Sequence, residues 1–122
     1  PRRAFDPTAA PRSVLPHLVL SEAIDGGADF RHRLVGATVV EWFGFNGTGQ
    51  TLSQMHDAQG LERVMPVYRL AHRADRPLLV TGLLDYWRDK DHVRIEALML
   101  PFAETPAGPA THLLQGLAFG YG

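Results

Sequence analysis

Six histidines and thirteen acidic side chains in 122 residues could supply metal or acid–base chemistry, but their spacing argues against most of it. No H-x-x-x-H or H-E-x-x-H pair occurs, and no carboxylate cluster accompanies the histidines, so no zinc-site pattern is present. His72 lies in a polar HRADR stretch near the end of a helical segment and reads as solvent-facing. His32, between Arg31 and Arg33, shares the parity of Phe30 and Leu34 and reads as a partly buried imidazole. Ser13, Ser21 and Ser53 lack the G-x-S-x-G context of a nucleophile. Asp85, Asp89 and Asp91 bracket a turn, while Glu41 and Glu96 stand apart, and catalysis needs groups that converge. The residue types point away from an enzyme.

Gly44–Thr51 (GFNGTGQT) is one residue from a phosphate-binding loop, with Gln50 in the lysine position. That loop needs the lysine charge and a preceding strand. Here the preceding residues are helical in pattern, so the stretch reads as a glycine turn. Trp42, Phe43, Phe45, Met55, Tyr68, Tyr86 and Trp87 are the large side chains of the helical half and the strand beside it. Either they fill a core, or that core keeps a cavity for a small apolar or aromatic ligand. The candidate lining is Trp42, Phe45, Met55, Val64, Tyr68, Ile95 and Met99, with Tyr68 and His32 as polar anchors. No residue pattern names a cofactor.

Composition bounds the rest. The chain is 45% hydrophobic and 20% charged, which is ordinary for one globular domain. A net charge of −1 gives no broad field toward nucleic acid or anionic lipid. No apolar run reaches the ~18 residues of a transmembrane helix, and no signal peptide is visible, so the expected location is the cytoplasm. The absence of cysteine excludes disulfides and thiolate chemistry.

Residues 1–14 read as an extended Pro/Arg-rich arm and 15–122 as the domain. A first strand is expected at 17–22 and a turn at Asp25-Gly26-Gly27, with a second strand at 30–35 in which Phe30, His32 and Leu34 share a face. A short apolar helix follows over 38–43, then a second over 51–55 capped by Thr48 or Thr51. Residues 58–75 carry Leu61, Val64, Tyr68 and His72 at helical spacing, with Pro66 expected to kink or divide the run. Strands are expected at 78–86, 92–100 and 111–119, with a charged turn from Trp87 and with Pro101 ending the middle one. Two strands, a helical middle and three strands fit an α+β fold: a five-stranded antiparallel sheet with helices on one face. The strand at 30–35 is expected between the first strand and the C-terminal region.

Several segments carry a resemblance. Arg33–Ala37 (RLVGA), Phe43-Gly44, Thr48-Gly49 and Glu96–Phe102 (EALMLPF) occur in that order, after Leu15–Leu18 (LPHL). They resemble the PAS-domain superfamily, and in particular a small bacterial PAS-type family with an "RLVG…FG…TG…EaLlLPf" pattern. The resemblance covers nearly all of residues 15–120. It implies a PAS-like fold and a sensory or regulatory role in bacterial signal transduction, binding a small molecule or a partner. A cysteine-free chain cannot belong to the flavin-adduct light sensors of that superfamily. The alternatives are a protein-interaction module with a filled core, or a small α+β enzyme. In the last strands, Leu98 and Leu100 fall on the second sheet face with Arg94 and Glu96, and leucines there call for cover. A homodimer built on that face is expected, with the arm at its edge.

Overall fold

The computed structural model describes residues 12–103, 105 and 108–121. A single turn of 3₁₀ helix, Leu15–His17, leads into β1 (Leu18–Ile24) and β2 (Asp29–Val35). Helices α1 (Ala37–Phe43), α2 (Leu52–Met55) and α3 (Ala58–Arg73) follow, and then β3 (Leu78–Leu84), β4 (Lys90–Ala103) and β5 (Ala110–Tyr121). Most of the proposed arm lies outside the described residues, as do 104, 106 and 107 in the loop at 104–109.

The turns and caps have local causes. Asp25, Gly26 and Gly27 all take positive φ between β1 and β2, where two amides close onto the Ile24 carbonyl. Helix α1 stops at Gly44, whose left-handed φ of 70° lets its amide return to the Val40 carbonyl. Thr51 caps α2 reciprocally: its hydroxyl takes the Gln54 amide while the Gln54 side chain takes the Thr51 amide. Asp57 caps α3 by accepting from the Gly60 amide at 2.8 Å.

All described strand pairs are antiparallel, in the order β2-β1-β5-β4-β3. This corrects one expectation. The strand at 30–35 does not sit between its hairpin partner and the C-terminal region; β1 takes that place, and β2 is an edge. The expected division at Pro66 and the expected stop at Pro101 also change. Helix α3 runs through Pro66 as one 16-residue helix. Its buried Val64, Met65 and Ala71 anchor it, while Pro66 and Glu62 lie on the solvent side, where water can take the orphaned carbonyl. Strand β4 continues through Pro101 to Ala103. It can do so because the described β3–β4 pairing ends at Met99, so Pro101 takes no amide away from that ladder.

A bulge sets the faces of β2. Leu20 pairs with Leu34 but Ser21 with His32, so Arg33 is the extra residue. The inward set therefore switches from Phe30 and His32 to Val35, and Leu34 turns outward beside Leu20, not inward as simple alternation predicts. Helix α3 lies over β4 and β5 on the inner face, with Ala71, Ala97, Met99, Leu113 and Leu117 buried between them.

Gly36 joins β2 to α1 where nothing larger fits. A Cβ there would lie 2.2 Å from the Pro16 carbonyl oxygen, and that oxygen is backbone. Gly36→Ala should lower unfolding free energy by about 1–3 kcal/mol or more through overpacking. Denaturant melts would check it, and a wild-type midpoint would show that the entry segment does not hold this position.

Candidate functional site

A cavity of about 80 Å³ lies between the inner sheet face, the helices and the 44–49 loop. Strands β1, β2, β4 and β5 contribute Val19, His32, Val35, Ile95, Gln115 and Leu117. The helices and loop add Val39, Phe43, Phe45, Met55, Val64 and Tyr68. The turn after β3 adds Tyr86 and Trp87, and His56 stands at the α2–α3 junction. A second cavity, about 200 Å³, opens between α3 and β3 and shares Val64, Tyr68, Tyr86, Ile95 and Gln115 with the first.

Six of the eight residues expected from sequence surround the first cavity: His32, Phe45, Met55, Val64, Tyr68 and Ile95. Met99 lines the second. Trp42 lines neither. Its ring stacks on Phe119 at 5.4 Å and leans on Tyr121, outside the cavity. On the short α1, Val39 and Phe43 take the core-facing stripe, which leaves Trp42 to one side.

Four polar side chains enter this apolar space: His32, His56, Tyr68 and Gln115. His32 is 5% exposed, and its Nδ1 shares a 2.8 Å hydrogen bond with Ser21 Oγ, which leaves Nε2 as the ring's open position. Burial, and then the nearby His56, push its pKa down to about 4, so the ring is neutral at pH 7. Gln115 donates from Nε2 to the Tyr68 hydroxyl at 2.7 Å. Burial raises the Tyr68 phenol well above its ordinary range, with the Gln115 bond opposing. His56 is also held below its ordinary value by burial, against the pull of Asp57, and its buried Nδ1 has no hydrogen-bond partner among the described residues.

Aromatic rings close one end. Trp87 is 4% exposed, and its Nε1 donates to the Phe43 carbonyl at 3.0 Å. The expected charged turn therefore starts with a core residue. Burial pushes the Tyr86 phenol up to about 12, with Arg63 opposing and Asp85 adding to the rise. His72 is not a free surface histidine: its Nε2 donates to the Ala110 carbonyl at 2.8 Å, tying α3 to β5. Gln115, Trp87 and His56 were not in the sequence-derived set. Gln115 had a signal, as the polar residue in the alternation Leu113, Gln115, Leu117, Phe119. His56 had none.

The site can hold an apolar body and offer it a few hydrogen bonds. Among the described residues, no three His, Asp or Glu side chains gather around one point, and no helix is long and apolar enough to cross a membrane.

No family model matches the chain, and no curated protein matches it by sequence. Solved structures do match by fold. A fungal LOV-domain photoreceptor aligns over 97% of this chain and 82% of its own, with a TM-score of 0.54 at 12% identity. The PAS-B domain of Drosophila melanogaster Cycle, a tryptophan-to-alanine variant with bound glycerol, aligns over 84% and 99%, with a TM-score of 0.55 at 10% identity. At such identities the likeness is one of fold: the chain has a PAS-like α+β fold.

Two measurements probe the polar groups. His32 binds its proton less well folded than unfolded, so its contribution is complete above pH 6.5 and is lost as pH falls toward 4. The loss should reach about 3 kcal/mol. A His32 NMR titration with a midpoint near 6.5 would contradict it. Tyr68→Phe leaves the Gln115 amide without its buried acceptor and should cost about 1–3 kcal/mol. A variant as stable as wild type would mean that water replaces the hydroxyl.

Proposed function

We propose that this chain is a PAS-like sensory or regulatory domain of bacterial signal transduction, cytoplasmic, that binds a small apolar or aromatic molecule and turns over no substrate. The RLVGA, FG, TG and EALMLPF segments support membership of the small bacterial PAS-type family that carries this pattern. The observation that carries the ligand reading is the cavity itself: apolar walls with His32 and the Tyr68–Gln115 pair as its polar points. Such a ratio of apolar surface to placed hydrogen bonds is what small-molecule sites have. A neutral His32 favours an uncharged group on the ligand, since bringing an anion beside it would require protonating a buried ring. The shared wall between the two cavities suits a ligand of about one ring that can extend toward the α3–β3 cleft.

Homodimerisation belongs to the same reading. Leu79, Leu83 and Leu98 are 63%, 38% and 44% exposed on the outer sheet face, while Leu18 and Leu114 on that face are already buried. The uncovered leucines therefore lie toward β3, and a second copy is the cover proposed.

Native mass spectrometry of freshly purified protein is the direct test, and a co-purifying small molecule is expected. Val64→Trp should fill the cavity and abolish its retention. Bare protein that also fails to bind a panel of single-ring compounds by NMR would favour the rival, an interaction module with a filled core. Sedimentation across micromolar concentrations should show a dimer forming, and a monomer throughout would remove the homodimer.

A further inference from the structure

The two edges of the sheet are treated in opposite ways. Strand β2 carries Asp29, Arg31 and Arg33 and a bulge at Arg33. Its outer backbone is also occupied: the His32 amide donates to the Gln50 carbonyl at 3.0 Å, and the Gly49 amide to the His32 carbonyl at 2.8 Å. Charges, bulges and covering loops are the devices that stop one sheet edge from pairing with another.

Among the described residues, strand β3 has none of them along its length. Leu78–Leu84 reads LLVTGLL, seven residues with no charge and no proline, and Pro77 stands just outside. Its one irregularity, between Leu83 and Leu84, is at its end. Helix α3 packs over β4 and β5, so the cleft of about 200 Å³ between α3 and β3 opens at this edge. A bare, apolar, seven-residue edge is a template for another strand.

The sequence of that edge indicates the occupant. About Thr81 it is nearly its own mirror: Leu78 matches Leu84, and Leu79 matches Leu83. Antiparallel pairing of two copies about a two-fold axis at Thr81 sets Leu79 of each against Leu83 of the other. These are the two exposed leucines of the strand, and both lie on the outer face. Leu78 and Leu84 stay on the inner side. No like charges meet within the paired strands. A self-complementary patch is what a two-fold interface requires.

We propose that two copies of this chain pair antiparallel through β3, centred on Thr81, to form one continuous ten-stranded sheet. This rests on the self-association proposed above but moves the contact from the outer face to the sheet edge: Leu79 and Leu83 of the two copies meet, while Leu98 on β4 stays on the open face. One seven-residue strand pair is a small interface, so the dimer is a weak, concentration-dependent one.

The lack of native cysteine makes the test clean. In antiparallel pairing, opposed Cβ atoms lie about 4.5–5.5 Å apart, close to disulfide reach. The full chain carrying Thr81→Cys should oxidise to a covalent dimer under mild copper–phenanthroline treatment. In the unmodified chain, hydrogen exchange at β3 amides should slow at least tenfold across the concentrations where sedimentation shows the dimer form. A dimer whose β3 amides exchange as in the monomer overturns the edge while leaving self-association standing, and a disulfide without that protection counts as chance collision and overturns it too. Slowed β3 exchange with Thr81→Cys still reduced overturns the Thr81 register. A monomer at every concentration overturns both the edge and the homodimer.

Discussion

A buried imidazole that must stay neutral and partnered fixes the geometry of half this molecule. His32 is held by its side chain to Ser21 on β1 and by its backbone, in both directions, to Gly49 and Gln50. Arg31 adds a bond from its guanidinium to the Gly49 carbonyl. The loop pinned in this way delivers Thr51 as the cap of α2, which turns Met55 into the cavity. Gly47 sits against the same two residues: a Cβ there would lie 2.8 Å from the end of the Met55 side chain, which would have to shift, and in ordinary contact with the His32 ring at 3.5 Å. Desolvation of one ring thus links the strand, the loop, the short helix and the site. With His32 charged, that arrangement would bury an ion with only a hydroxyl beside it, which is why the ring resists protonation.

The far end of the cavity is closed at the expense of backbone strain. The turn after Trp87 places Arg88 at φ 30° and Asp89 at φ 57°, and the Lys90 amide closes onto the Trp87 carbonyl. Left-handed conformations cost a non-glycine residue roughly 1–2 kcal/mol each. Burying the Trp87 ring returns about 1.5–3 kcal/mol, and its indole hydrogen bond to Phe43 adds about 1 kcal/mol. Arg88 stacks over Phe45 and Trp87 at 4.5 and 4.6 Å, which contributes about 0.5–1 kcal/mol at an exposed position. These terms balance. The strained turn persists because it carries the ring that seals the site.

Much of this was legible along the chain, and the misses share a cause. Alternation and glycine turns located all five strands, and helical spacing located α3 with Val64 and Tyr68 inward, because those signals are local. The strand order was not, since local pattern marks the β1–β2 hairpin but not which of its strands meets β5. The Arg33 bulge was equally hidden. It changes parity without changing composition, so Leu34 and Val35 traded faces. Pro66 was expected to kink or divide its helix and Pro101 to end its strand; neither the division nor the stop occurs, because tertiary packing outweighs their intrinsic cost. The cavity lining was largely visible as large side chains in the helical half, whereas His56 reaches it only through the α2–α3 junction.

The wall between the two cavities is held by one buried polar link. Tyr68 and Gln115 face both spaces, joined by a 2.7 Å hydrogen bond between a helix and the central strand β5. Phe30 lies 5.3 Å from the Tyr68 ring on one side, and Tyr86 and Ile95 complete the partition. A buried hydrogen bond loses most of its strength once the geometry opens, and leaving its donor unpaired costs about 1–3 kcal/mol. Content of the inner cavity that keeps the pair intact leaves the α3–β3 cleft as it is. Content that displaces Tyr68 must supply the missing acceptor to Gln115 or pay that penalty, and in moving Tyr68 it reshapes the cleft that runs beside the bare edge of the sheet.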